Sequence, residues 1–372
     1  MGVWVREIVF RVRETNAKRN MIMKKLFLML LAVVAVAACG EPEPTGPNWG
    51  PNPNPTPTPG PGTTDPDTPK EIIVRNVEPT TELGIKGEDV DGLRFYPGIS
   101  INIASSNWEK NLAEIAGAGF KYIEITIKHE FGIKDMTDEA VLNIFATKLN
   151  YVKSVGLTVW SIHLPFEDAN WTNIAGKETV RVQSVANIMR VLRLCVAGFP
   201  ECKNYVLHPS KGVLSPRTDS VAQARKSLGE MIPEAKALGV RLCVENLVGS
   251  LCYSIEELEN TIAGISDAWV TYDIGHANCK GIDVVKFLEA IGPRLGTVHM
   301  HDTVTGSGND SHDYLGVPQP GINKWEDVYR TMLEDNRYRG VFLFELSGKS
   351  AATVMSSYNK LVNDYQKKYE MK

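Results

Sequence analysis

Positive charge is not in excess in this sequence. Its 40 Lys and Arg stand against 44 Asp and Glu, a formal net charge of −4 over 372 residues. Recognition of a polyanion through a basic surface is therefore not expected. A Gly-rich phosphate turn is also missing, since neither GxGxxG nor GxxxxGKS/T occurs. That removes the usual mark of a dinucleotide-binding or NTP-binding fold. Cysteine is scarce, six in all, with no CxxC pair and no zinc-ribbon spacing. No apolar run reaches the roughly 20 residues that span a bilayer. Histidine is rarer than its placement would suggest, with only seven in the chain.

The first 70 residues read as processing and tether segments. Met23-Lys24-Lys25 opens a basic stretch, Leu26 to Ala38 is apolar, and Val36-Ala37-Ala38 precede Cys39. This is the pattern of a secretory signal over 23–38. The small residues before Cys39 resemble a bacterial lipobox, which implies a lipid on Cys39 and a membrane anchor for an exported protein. Residues 1–22 carry no such logic and read as an upstream extension, with Met21 or Met23 the better start. Residues 39–70, including "PNWGPNPNPTPTPGPGTTDPDTP", are too rich in Pro, Asn, Thr and Gly to bury a core. They are expected to be a disordered linker, followed by a short lead-in over 71–92. The other cysteines, Cys195, Cys202, Cys243, Cys252 and Cys279, are odd in number and lie mostly in apolar runs. Buried free thiols are expected.

From 93 to 372 the chain alternates β-like runs with helical stretches. Eight runs are found: 96–104, 121–127, 157–166, 204–210, 240–247, 268–275, 296–302 and 340–347. Their density of Val, Ile and Leu suits parallel strands covered on the outer face. The stretches between them place apolar residues three and four apart. Gly119, Gly156 and Gly239 stand where helices should end, and "SIEEL" from Ser254 is a capping box. Eight β-α units over this length predict a single α/β domain, a (β/α)8 TIM barrel. A doubly wound open sheet is the runner-up, weakened by the missing phosphate turn.

Barrel active sites lie at the C-terminal ends of the strands. There the sequence places His163, His208, Glu245, Asp273 with His276, His299 and His301 with Asp302, then Asp310 and His312 in a long loop, and Glu345. Glu245 follows "RLCV" and Glu345 follows "VFLF", so each carboxylate would be stranded without a partner. A buried hydrogen-bond network without metal is the bland alternative. Imidazoles mixed with carboxylates, without thiolate, suit Zn, Mn, Co or Fe better than Ca. Glu124, inside the second run, reads as part of a lower barrel layer. Asn246 is expected to hold a neighbouring loop. Lys128 and His129 are open between substrate contact and solvated loop.

The ordered set "SIHLPF", "LHPS", "VENL", "TYDIGHAN", "VHMHD", "DSHDYLG" and "FELS" resembles the xylose-isomerase-like barrel superfamily over about 93–372. That group holds sugar isomerases and epimerases and apurinic endonucleases of the endonuclease IV type. The resemblance implies one divalent metal on Glu245, Asp273, His299 and Glu345, with Glu245 and Glu345 also the catalytic acid/base pair. It implies that His163, His208, His276, Asp310 and His312 bind substrate or up to two further ions, and it leaves His301 as an alternative to His299. The expected activity is metal-dependent isomerisation or epimerisation of an unphosphorylated sugar or keto-sugar. Lyase or dehydratase chemistry on a keto-glycoside and an endonuclease IV-like zinc phosphodiesterase are the alternatives. A small-molecule sugar or glycoside is the expected partner, and no nucleic acid is expected.

Overall fold

The computed structural model describes residues 75–80, 90, 92–128, 132–346 and 348–370. The signal segment, Cys39, the linker and His129 lie outside the described residues. Two units divide the chain, 1–69 and 70–372, and the account below concerns the second.

Eight parallel strands form the wall: β3 (Pro97–Ile101), β4 (Tyr122–Thr126), β5 (Thr158–His163), β6 (Asn204–Leu207), β7 (Arg241–Glu245), β8 (Trp269–Asp273), β9 (Leu295–His299) and β10 (Phe342–Phe344). Their order is β10-β3-β4-β5-β6-β7-β8-β9, all parallel. A parallel bridge between Met300 and Phe344, with Met300 N donating to Leu343 O at 2.7 Å, joins the last edge to the first. The molecule is thus the expected (β/α)8 barrel. Nearly every wall residue is buried, because helices cover one face and lumen side chains fill the other.

Two strands were not expected. β1 (Arg75–Val77) pairs in parallel with β2 (Leu93–Phe95), a separate two-stranded sheet that joins the lead-in to the first residues of the 93–372 segment. Residues 93–95 therefore precede the wall, which begins at Pro97.

The outer helices are α1 (Trp108–Gly117), α2 (Asp138–Ser154), α3 (Glu178–Gly198), α4 (Arg217–Ala237), α5 (Ile255–Ile262), α6 (Ile274–Cys279), α7 (Val284–Ile291), α8 (Trp325–Glu334) and α9 (Ala351–Glu370). Gly119, Gly156 and Gly239 adopt φ of +93°, +77° and +73°, the left-handed turn that ends a helix and returns the chain to the sheet. Ser254 caps α5, its Oγ accepting from Glu257 N at 3.2 Å. The five cysteines among the described residues are buried and free. Among those residues, no helix is long and apolar enough to cross a membrane.

Candidate metal centre

The strand ends deliver side chains to one place. His163 ends β5, Glu245 ends β7, Asp273 ends β8 and His299 ends β9. His208 follows β6, and Glu345 directly follows β10. Three groups converge so that one ligand atom per residue lies within 4.8 Å of the others: Glu245, Asp273, His299 and Glu345; His163, His208 and Glu245; His301, Asp310 and His312. Glu245 belongs to two of them.

In the first group His299 Nδ1 lies 3.0 Å from Glu345 Oε2, 3.5 Å from Glu245 Oε1 and 3.7 Å from Asp273 Oδ2. Glu245, Asp273 and His299 are fully buried, whereas the Glu345 side chain is 25% exposed. In the second, Glu245 Oε2 is 3.3 Å from His163 Nε2 and 3.1 Å from His208 Nε2. In the third, Asp310 Oδ2 meets His312 Nε2 at 2.7 Å, and His301 Nδ1 lies 3.5 Å from Asp310 Oδ1. His276 stands outside these groups, though its Nε2 is 3.3 Å from Asp310 Oδ2. His301, left by the sequence as an alternative to His299, takes a place of its own beside Asp310.

Each of several rings is held by one nitrogen and turned inward by the other. His163 Nδ1 sits 2.9 Å from Leu164 O, His276 Nδ1 2.7 Å from Asn246 O, and His312 Nδ1 2.8 Å from Glu345 O. Carbonyls only accept, so these nitrogens carry the proton and leave Nε2 to face the carboxylates. Second partners of this kind are usual for imidazoles that ligate metals.

The local backbone explains the convergence. Asp273 is both cap and cluster member: its Oδ1 accepts from His276 N at 2.7 Å, opening α6. Asn246 grips Asp273 from both sides, with Nδ2 donating to Asp273 O and Oδ1 accepting from Asp273 N, each at 2.8 Å. Asn246 thus holds the end of the neighbouring strand β8, where a contact to a loop was expected. Asp302 anchors the long loop. It accepts from the backbone N–H of Thr303, Gly316 and Ile322 at 2.8, 2.8 and 2.9 Å and from Trp325 Nε1 at 3.2 Å. Paired backbone bonds with Asp313 then fold Asp310 and His312 back over the barrel mouth. His312 holds φ of +47°, a left-handed conformation uncommon outside glycine, though His adopts it more readily than most residues.

Gly275 has a steric reason. A Cβ there would sit 2.2 Å from His301 Cε1. Gly275→Ala is expected to destabilise the protein by about 2–3 kcal/mol through overpacking and to displace His301. Urea unfolding checks the first effect. A variant as stable as the parent would show that the ring has room.

Burial opposes charge throughout the cluster, and opposite charges override it at most members. Glu245 and Asp273 are held well below the carboxylate range, chiefly by His208 and His299 and by His276 and His301 respectively. Glu345 is lowered to about 2, with His299 the main cause. Asp273 raises His276 to about 10, and the bond to Asp310 raises His312 to about 9. At His208 burial prevails and the pKa falls. In the metal-free centre imidazoliums therefore face carboxylates at His276 and His312, while His208 favours its neutral form. Four of the centre's buried atoms, Glu245 Oε2, His299 Nδ1, His301 Nδ1 and Asp310 Oδ1, have no hydrogen-bond partner. Orphaned acceptors and ring nitrogens facing one another fit a cation better than a closed hydrogen-bond network. The donor set, N and O without S, fits a borderline divalent ion.

Two cavities flank the centre. One of about 670 Å³ is lined by Glu345, His312, Ser100, Asn102, Asn111 and Lys128 among others. The other, about 480 Å³, includes His208, His276, Leu247 and Val248. Phe166 lines both and packs its ring on His163 and His208 at 4.7 and 4.2 Å.

Glu124 was under-read in the sequence. It accepts from His299 Nε2 at 3.1 and 3.3 Å inside the barrel. The signal was present: a carboxylate between Ile123 and Ile125 in a wall strand faces the lumen and needs a partner.

The family model for the xylose isomerase-like TIM barrel matches residues 112–363. A probable endonuclease 4 of Acholeplasma laidlawii is 27% identical over 135 residues, 32% of this chain and 46% of that protein, so the match spans about half its length. Among solved structures, a D-tagatose 3-epimerase-like protein superposes with a TM-score of 0.59 at 20% identity, over 73% of this chain and 99% of that one. A 3-keto-D-glucoside 4-epimerase from E. coli gives a TM-score of 0.55 at 16% identity, over 73% and 100%. With barrel, strand-end residues and family model in agreement, this chain belongs to the xylose isomerase-like TIM barrel family.

Proposed function

We propose that the protein is a divalent-metal-dependent sugar isomerase or epimerase that removes a proton next to a carbonyl. The observation that carries this reading is the placement of Glu245 and Glu345. Both approach His299 Nδ1, at 3.5 and 3.0 Å, yet Glu245 is buried and Glu345 opens onto the larger cavity. Two carboxylates converging on one centre suit proton removal by one and return by the other. Glu245, Asp273, His299 and Glu345 would hold the ion. When bound, it would polarise a carbonyl and its neighbouring hydroxyl and so acidify the C–H between them. Return of the proton to the same carbon on the opposite face epimerises; return to the neighbouring carbon isomerises.

The larger cavity presents Ser100, Asn102, Asn111, Thr126 and Lys128, a donor and acceptor set suited to sugar hydroxyls. An unphosphorylated sugar or glycoside is favoured, since the export signal expected at 23–38 would place the enzyme away from cytosolic sugar phosphates. The second cavity gives a glycoside's other half somewhere to lie, and with a leaving group there the same enolate would support a lyase. Fold neighbours that include a D-tagatose 3-epimerase-like protein and a 3-keto-D-glucoside 4-epimerase support the reading. Phosphodiester hydrolysis is a second reading, favoured by the three candidate groups and the endonuclease 4 relatives. The net charge of −4 weighs against a DNA substrate.

The test is a panel of keto-sugars and keto-glycosides incubated with metal-loaded protein in D₂O. Deuterium is expected at a carbon next to the carbonyl. Cleavage of abasic DNA with no exchange on any sugar would overturn the proposal.

A further inference from the structure

Glu124 lies below the centre and belongs to none of the three candidate groups. Its side chain is completely buried in the lumen. Ser100 and Ser161 are its register partners on the flanking strands β3 and β5. Ser161 Oγ donates to Oε2 at 2.7 Å, and Ser100 Oγ donates to Oε1 at 3.3 Å. The carboxylate is thus pinned from both sides, with both oxygens turned to His299 Nε2.

Two neutral hydroxyls do not offset a carboxylate taken out of water. The missing compensation is His299, itself fully buried. Its tautomer follows. Of its two ring nitrogens only Nε2 has hydrogen-bond geometry, to two acceptor oxygens at 3.1 and 3.3 Å. Nε2 therefore carries a proton and donates it to Glu124. Nδ1, buried and without a hydrogen-bond partner, is left facing Glu345, Glu245 and Asp273. His163, His276 and His312 are held instead by neutral backbone carbonyls. A full negative charge behind the ring makes its opposite nitrogen a stronger donor than a carbonyl does.

We propose that Glu124 is the positioning residue of the metal centre. It fixes the His299 ring and tautomer so that Nδ1 presents its lone pair to the ring of carboxylates. The proposal rests on the metal reading of this site.

The experiment measures Zn²⁺ and Mn²⁺ affinity, by competition with a chelating dye, for the parent and for Glu124→Ala, Glu124→Gln and Ser161→Ala. Melting in EDTA is recorded alongside. Glu124→Ala is expected to weaken Zn²⁺ binding about 10- to 100-fold. Glu124→Gln keeps an oxygen for Nε2–H without the charge and recovers part of that loss. Ser161→Ala removes one of the two hydroxyls that pin the carboxylate but keeps its charge and the His299 contact, and is expected to lose less affinity than Glu124→Gln. Parent-like affinity in both Glu124 variants, with only their metal-free melting lowered, would make Glu124 a structural residue and overturn the proposal. No Zn²⁺ or Mn²⁺ binding by the parent would instead sink the metal reading. If the Glu124 variants do not fold, ¹⁵N spectra of the Zn²⁺-loaded parent decide. The expected signature is a protonated Nε2 and a metal-shifted Nδ1 on His299; the reverse assignment overturns it.

Discussion

Glu245→Gln is expected to lower deuterium exchange into the keto-sugar substrate by a factor of about 10³ or more. Loss of a positioned acid or base alone costs about 10²- to 10⁴-fold. Here the same change strikes two candidate groups at once, because Glu245 faces His163 and His208 with Oε2 and His299 with Oε1. An amide presents an NH₂ where one of those carboxylate oxygens stood, and a donor there opposes a cation. Glu345→Gln touches one group and is expected to act more narrowly, with exchange falling while His163 and His208 stay in place. If the two carboxylates work on opposite faces, each variant should retain residual exchange with a different epimer. Proton NMR of both epimers in D₂O checks this. Parent-like exchange in both variants would remove the enolate mechanism.

Glu245 stood out in the sequence for the reason it matters in the structure. A carboxylate after "RLCV" at a strand end has no solvent, and its burial at 1% demands cations. Strand ends in a barrel share one mouth, which brought Asp273, His299, His301 and Glu345 to the same rim, while the choice of His299 over His301 came from the family resemblance. The eight wall strands were legible from their apolar runs. β1 was not, because Arg75-Asn76-Val77 is three residues long with two exposed, too short for any alternation to register. Glu124 needed the rule already applied to Glu245, extended one layer down the lumen. The role of Asp302 was beyond sequence reading, since two of its partners, Gly316 and Ile322, lie 14 and 20 residues away. The relation of His301 to His276 depends on ring placement, and that rests on the missing Cβ of Gly275. Spacing along the chain carries no record of such contacts.

Metal and protons should compete for this centre, so stability with and without metal should run in opposite directions with pH. In the metal-free protein His312 and His276 are raised from 6.5 to about 9 and about 10, by Asp310 and by Asp273 against the opposing effect of burial. A raised folded-state pKa stabilises fully below the unfolded value. That contribution is lost as pH rises through about 9 and about 10. Glu345, lowered to about 2 from 4.5, stabilises above 4.5 and loses that contribution as pH falls through 2. The metal-free protein is therefore expected to be most stable between pH 4.5 and 6.5 and to weaken as pH rises above that window. An imidazole that ligates must be neutral, so each proton displaced makes metal affinity rise up to about tenfold per pH unit. A divalent ion at about 1,000 times its dissociation constant adds about 4 kcal/mol. That corresponds to roughly 10 °C in melting temperature for a domain of this size. Melting at pH 6 and pH 8.5, with buffered Mn²⁺ and with EDTA, should show the metal-induced increment growing with pH while the EDTA curve declines. An increment that shrinks with pH, or a metal-free protein steadier at pH 8.5 than at pH 6, would mean that these imidazoles do not hold the protons a metal ion must displace.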